Sequence, residues 1–127
     1  IYTIVHRTRL EDVARSGGEA TFREVGRWVG GAQLLAEARR DDFTLPIVFA
    51  DAADCSGLLF WGELREVRID EQGTEYTVAD LRPIEGDHAP QELVLLRSGR
   101  TIAPDVIRPY ALCRTPSFLS AASPVRS

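Results

Sequence analysis

A continuous stretch from Leu45 to Ile84 holds three consecutive strand candidates, and no other feature of the chain constrains its fold as strongly. The first candidate is an apolar run led by Pro46, a residue that is tolerated at the start of a strand but not in its middle. The second, residues 58–69, alternates apolar with charged residues after an apolar start. The third, residues 74–81, is rich in β-branched and aromatic residues. The stretch therefore predicts a central sheet.

The later of the two connections in this stretch predicts a hairpin. Residues 70–73 read Asp-Glu-Gln-Gly, and a glycine can adopt the positive φ that a short hairpin loop requires. We therefore expect a four-residue loop with Gly73 at positive φ between two antiparallel strands.

The earlier connection, residues 51–57, differs because it places several polar side chains at the rim of the sheet. Asp51, Asp54 and Ser56 supply two carboxylates and a hydroxyl. An aspartate in a loop most often accepts a hydrogen bond from the backbone two residues further on, so an Asx turn is one interpretation. The other is that these oxygens are acceptors for a ligand, because loops at sheet rims often carry binding residues.

The charge distribution favours a local basic surface on an acidic protein. All 15 basic residues are arginine, and the net charge is −4. From residue 93 to the end, however, five arginines, among them Arg108 and Arg114, stand against the single Asp105. Arginine suits bidentate contacts to phosphate and guanine, so this third of the chain is typical of a reader of a short nucleic-acid site. GC-rich coding explains the absence of lysine equally well, but it does not explain why the arginines cluster in this part of the chain.

Cysteine and histidine are too few to indicate a metal site. The chain contains two of each, at spacings that match no metal motif, so we predict neither a metal nor a cofactor. No apolar run approaches the ~18 residues of a membrane span, and no secretory signal precedes the first strand. We therefore expect a cytoplasmic protein with reduced cysteines.

The remaining segments predict an α+β domain. Residues 1–7 form a first strand, Thr8 caps a helical turn over 10–15, residues 19–29 fit neither pattern well, and 32–40 form the main helix. After the hairpin, residues 92–97 and 110–113 are further strands. We expect one domain over residues 1–118, with a small curved mixed sheet rolling towards a barrel beside two or three helices, and a flexible tail over 119–127.

This element order resembles the PUA-like superfamily, which includes ASCH and EVE domains. The resemblance covers residues 1–84 and rests on a strand followed by helices, then on the runs LPIVFAD and LLFWGELREVRI. It implies a pseudo-barrel with a cleft that binds RNA, or DNA and RNA with modified bases. The lysine of the ASCH signature is missing, because the chain contains no lysine.

The two tryptophans suggest where a base could stack. Trp28 lies among glycines and near Arg23 and Arg27, which is typical of an exposed stacking platform beside phosphate-binding cations. Trp61 lies in an apolar strand run, so we expect it to be more deeply buried.

Three functions fit these features. The first is a nucleic-acid-binding module that takes a base of DNA or RNA, modified or not, into an aromatic cleft. The second is a small enzyme acting on nucleosides or nucleic acid, with Asp51, Asp54 or Glu63 as acid or base. The third is a domain of a larger protein that docks an acidic partner. The candidate nucleic-acid-binding residues are Arg23, Arg27, Trp28, Asp51, Asp54, Ser56, Trp61, Arg108 and Arg114.

Overall fold

The computed structural model describes residues 1–53, 57–102 and 110–122, which form an α+β fold with a six-stranded mixed sheet curled into a half-barrel. The elements, in chain order, are β1 (Tyr2–Val5), α1 (Arg7–Arg15), β2 (Ala20–Glu24), α2 (Val29–Arg40), β3 (Leu45–Asp51), β4 (Leu58–Asp70), β5 (Gly73–Pro83), β6 (Tyr110–Ala111) and α3 (Ser117–Ala122). The predicted α+β class and curved mixed sheet are therefore confirmed.

The strand order in the sheet is β2-β5-β4-β3-β1-β6. Only the β1–β3 pair is parallel among the described strands, and the segment between its two strands contains α1, β2 and α2. Because the pair is parallel, the carboxyl ends of both strands lie at the same rim, where Val5 is opposite Asp51. The rim that carries the 51–57 connection therefore also carries the start of α1.

Two hydrophobic cores lie on opposite faces of this sheet. Successive residues of β3 alternate between them, so that Ile47 and Phe49 belong to the first core while Val48 and Ala50 belong to the second. Helices α1 and α2 cover the first core. Residues from the 93–119 region, including Leu119, cover the second. The sheet thus separates any two side chains that point into different cores.

The hairpin forms as predicted, although its loop is tighter. Strands β4 and β5 pair antiparallel from Phe60 to Asp70, and only two residues separate them. Gly73 has a φ of 133°, which a residue with a side chain rarely adopts. The turn residues were therefore recognised correctly, and the strands simply continue further towards the turn.

Two expectations for the first forty residues were wrong. Helix α1 begins at Arg7 with His6 in the capping position, so Thr8 lies inside the helix and is not its cap. Helix α2 begins at Val29, before the glycine pair. The unassigned region between them contains β2, which is a strand because it pairs with β5 from Ala20 to Glu24. Partners distant in sequence decided each of these outcomes.

The C-terminal region also differs from its prediction. Residues 92–97 do not form a continuous strand, since only isolated bridges join Val94 to Thr101 and Leu95 to Cys113. The expected closing strand is β6, with two residues. Helix α3 continues through residue 122 and Leu119 is only 2% exposed, so the expected flexible tail does not begin at residue 119. Residues 103–109 and the last five residues lie outside the described residues.

Candidate functional site

Trp28 is buried, which contradicts the expectation that it is an exposed stacking platform. Only 1% of the residue is exposed. Its ring stacks on Tyr76 at 4.3 Å and on Tyr110 at 4.5 Å between centroids. The backbone N–H of Trp28 donates to Thr74 Oγ1 at 2.8 Å, and that hydroxyl donates to the Gly26 carbonyl at 2.7 Å. The glycines that suggested exposure allow the chain to approach this stack closely.

Trp61 is buried in the other core, as expected from its apolar surroundings, but it is not more deeply buried than Trp28. It is 5% exposed, and the Arg82 guanidinium lies 3.9 Å from its ring centroid. Trp28 belongs to the first core and Trp61 to the second. Because the sheet lies between them, the two rings cannot line one base pocket, and that part of the prediction was wrong.

Asp51 has a structural role at the rim. Its Oδ1 accepts hydrogen bonds from the Ala53 N–H at 3.0 Å and from the Arg7 N–H at 3.2 Å. The first bond is the predicted Asx turn, and the second satisfies the first N–H of α1. The bond from Ala53, followed by that from Arg7, lowers the pKa of the Asp51 carboxyl. Asp54 and Ser56, the other two candidates in this connection, lie outside the described residues.

A cleft of about 320 Å³ opens at the same rim and is named the end cleft here. It lies where β1 ends, beside the start of α1 and strand β2, and its lining includes His6, Arg9, Phe22, Arg23, Glu24 and Ala52. Its volume falls at the lower end of the roughly 300–1,000 Å³ typical of small-ligand pockets. In open α/β sheets, ligands bind beyond the carboxyl ends of parallel strands, and the end cleft lies beyond the carboxyl ends of β1 and β3. The end cleft is therefore a candidate ligand site.

The end cleft has cationic and aromatic groups in close contact. The guanidinium of Arg9 lies 4.8 Å from the Phe22 ring centroid and donates to the Thr21 carbonyl at 3.1 Å. Partial burial raises the pKa of the Glu24 carboxyl. Phe22 itself is only 4% exposed, so the outer surface available to a ligand is the guanidinium of Arg9. A planar guanidinium can stack on a base or contact a phosphate.

The two predicted arginines near Trp28 differ in their surroundings. Arg23 lines the end cleft and also forms ion pairs of 3.4 Å with Asp70 and Glu75. Arg27 is exposed and forms no ion pair with a described residue. Trp28, which follows Arg27 in the chain, points into the core, so it offers no exposed ring beside either arginine. Arg23 is therefore a predicted site residue that lines the end cleft.

A second basic group forms at the turn from Leu95 to Arg100. The turn is closed by hydrogen bonds from the Leu95 N–H to the Arg100 carbonyl at 2.8 Å and from the Gly99 N–H to the Leu95 carbonyl at 2.9 Å. Arg114 joins it, because a Cβ on Gly99 would lie 3.9 Å from its guanidinium. We name Arg97, Arg100 and Arg114 the arginine turn.

The arginine turn is exposed and lacks carboxylate partners among the residues that the structure describes. The other exposed arginines are of both kinds: Arg15, Arg23, Arg65 and Arg68 form ion pairs, whereas Arg27 and Arg40 have no carboxylate partner among the described residues. Three of the five arginines in the C-terminal third are therefore exposed at or beside this turn. Arg108, the other predicted residue of the basic surface, lies outside the described residues.

Sequence reasoning missed several of the residues that line clefts. Arg9 and Glu24 gave no motif, because the end cleft depends on β2 being a strand. His88 and Glu92 are four residues apart in the sequence, and the structure places His88 Nδ1 2.8 Å from Glu92 Oε1. This spacing was the sequence signal from which the pair could have been found.

Comparisons with known proteins do not identify a family. Protein-family models give no match to this sequence, and neither do curated proteins. Within the described ranges, no helix is long and apolar enough to cross a membrane, and no group of three or more His, Cys, Asp or Glu side chains is arranged to hold a metal ion. Any functional assignment therefore depends on the geometry above.

Proposed function

We propose that this chain is a nucleic-acid-binding module of the PUA-like type. In this proposal the arginine turn contacts phosphates of DNA or RNA, and the end cleft receives a base, modified or not. The observation that carries the proposal is the arginine turn itself, three exposed guanidinium groups without a described carboxylate partner on a protein of net charge −4. Such a local cationic group can neutralise phosphates without making the whole surface basic.

The end cleft supplies the base-specific part of the proposal. The guanidinium of Arg9 lies over the Phe22 ring, 4.8 Å from its centroid, and Glu24 is an acceptor at the same cleft. Carboxylates accept hydrogen bonds from base amino groups, and guanidinium planes stack on bases. The curled mixed sheet supports the proposal of a PUA-like type, while β2 adds a strand between the two helices that the resemblance did not include.

The test is oligonucleotide binding measured by fluorescence anisotropy at several salt concentrations. We expect Arg100→Ala and Arg114→Ala each to weaken binding to all single-stranded sequences alike. Each variant should also reduce the slope of log K against log salt by about 0.7 per lost phosphate contact. Arg68→Ala is the matched control, because Arg68 is exposed but ion-paired with Glu66 and Glu75. Binding that is independent of salt, or equal losses in the control, would contradict the proposal.

A separate arm tests the end cleft. Arg9→Gln removes the cation over Phe22 while keeping a long polar side chain, so we expect its loss of affinity to depend on which base is present. A loss that is the same for every sequence would make Arg9 another phosphate contact and leave the end cleft without a reading role.

The arginine turn also fits an acidic protein partner, which is the second function that this observation favours. Absence of oligonucleotide binding at low salt would support that alternative. The enzyme hypothesis has less support, because its candidate acids and bases have structural partners. Asp51 accepts the first N–H of α1, and Glu63 lies 3.5 Å from the guanidinium of Arg65.

A further inference from the structure

A second cleft, of about 420 Å³, lies between the start of β4 and the loop that follows β5. We name it the histidine cleft. Its apolar wall includes Leu58, Leu59 and Ile84, and its polar side includes Gly86, His88 and Glu92. No arginine lines it among the described residues. An apolar wall with a few convergent polar groups is the usual composition of a small-molecule site.

His88 is fixed in this cleft by contacts on two sides. Its Nδ1 lies 2.8 Å from Glu92 Oε1, and the other carboxylate oxygen of Glu92 accepts the Ala89 N–H at 2.8 Å. One face of the imidazole stacks on Phe118 of α3, at 3.8 Å between centroids and 12° between planes. These contacts restrict both torsions of the His88 side chain, so the ring has one orientation in the cleft.

The contact with Glu92 also determines the tautomer of His88. The hydrogen bond from His88, followed by that from Ala89, lowers the pKa of the Glu92 carboxyl, so this group is ionised at neutral pH. An ionised carboxylate can only accept hydrogen bonds, and Nδ1 must therefore carry the proton. In the neutral imidazole, Nε2 is then the acceptor.

The Nε2 edge has room for a ligand. Nε2 has no hydrogen-bond partner among the described residues. A Cβ built on Gly86 would lie 3.5 Å from Nε2, so the glycine leaves this space without a side chain. The side chain of His88 is 23% exposed. An oriented acceptor of this kind, beside an apolar wall, can select a ligand by the position of a single donor.

We propose that the histidine cleft binds a small neutral molecule that has an apolar body and one O–H or N–H donor, which donates to His88 Nε2. The site is independent of nucleic-acid binding, and it contributes neither to the end cleft nor to the arginine turn. If His88 had only a structural role, holding α3 through Phe118, the cleft would not prefer ligands that have a hydrogen-bond donor over ligands that lack one.

The first experiment uses the unaltered protein and two probes of nearly the same shape. Phenol has a hydroxyl donor, whereas anisole has the same ring and oxygen without a donor. We expect phenol, but not anisole, to shift the imidazole ¹⁵N resonances of His88 at neutral pH, with His6 as an internal reference. The same spectra should show the Nδ1–H tautomer for free His88. Equal shifts with both probes, no shift with either, or an Nε2–H tautomer would overturn the proposal.

The second experiment changes the tautomer through Glu92→Gln. The amide of the variant can donate to Nδ1, which leaves the proton on Nε2 and removes the acceptor. We expect phenol to bind about three- to tenfold more weakly, as expected for one hydrogen bond, and the preference for phenol over anisole to disappear. Glu85→Gln is the matched control, because Glu85 lies in the same loop, is exposed, does not line the cleft and has no described partner. Unchanged phenol selectivity in Glu92→Gln would also overturn the proposal.

Discussion

At the scale of single residues, Gly73 shows that glycine can be required at one position for two separate reasons. Its φ of 133° is unfavourable for a side chain. A Cβ built there would also lie 2.1 Å from the Glu24 carbonyl oxygen and 2.7 Å from that of Val25. The sequence pattern predicted the conformation of this glycine, but the contact with the end of β2 depends on the three-dimensional pairing of β2 with β5.

We therefore expect Gly73→Ala to destabilise the protein by more than the roughly 1–3 kcal/mol typical of a strained backbone conformation alone. Chemical denaturation measures the change. Gly26→Ala is the control, because a Cβ at Gly26 meets no atom within 4 Å. Equal stability of the two variants would mean that the backbone at Gly73 relaxes readily.

At the scale of elements, the start of α1 depends on a side chain from β3. Asp51 accepts the Arg7 N–H as well as closing its own Asx turn. Sequence reasoning identified the Asx turn because it is local, and it assigned the wrong cap to α1 because the acceptor is distant in sequence. The same distinction applies to β2, whose own residues favoured no structure and whose pairing with β5 determined it.

The contact between Asp51 and α1 predicts a pH dependence of stability. The pKa of the Asp51 carboxyl is lower in the folded protein, so its contribution is present above the unfolded pKa and is lost as the pH falls through the folded pKa. We expect the stability difference between the wild type and Asp51→Asn to be largest near neutral pH and to shrink in acid. Denaturation curves from neutral to acidic pH measure it.

Asp87→Asn is the control for this experiment, since Asp87 is exposed and has no described partner. A difference between wild type and Asp51→Asn that stays constant with pH would show that the carboxylate charge does not stabilise α1.

At the scale of the whole molecule, Trp28 reports on the curvature of the sheet. Its ring contacts Tyr76 of β5 and Tyr110 of β6, and these strands are four positions apart in the strand order. In a flat sheet, four steps of about 4.8 Å would separate them by roughly 19 Å. Both tyrosine rings nevertheless lie within 4.5 Å of the indole centroid, so the sheet must curl around Trp28. This burial was not predictable from the neighbours of Trp28, because it requires the closure of the half-barrel.

We expect Trp28→Ala to lower the free energy of unfolding by about 3–5 kcal/mol, as for other large core aromatics. Val25→Ala is the control from the same loop, since Val25 is 88% exposed and surface changes usually stay within about 0.5 kcal/mol. Thermal and chemical denaturation of both variants test this. A Trp28→Ala variant as stable as the control would show that the stack of Trp28 on Tyr76 and Tyr110 does not stabilise the fold.

The position of β1 between β3 and β6 has a consequence for how the chain is synthesised. Residues 2–5 pair with residues 48–51 on one side, and Tyr2 and Thr3 pair with Ala111 and Tyr110 on the other. During synthesis, therefore, β1 can pair with β3 once residue 51 has been translated, but its other hydrogen-bonding edge has no partner until residues 110 and 111 follow. An unpaired edge is a site for aggregation, so this interval of synthesis is the one in which β1 exposes the nascent chain to that risk.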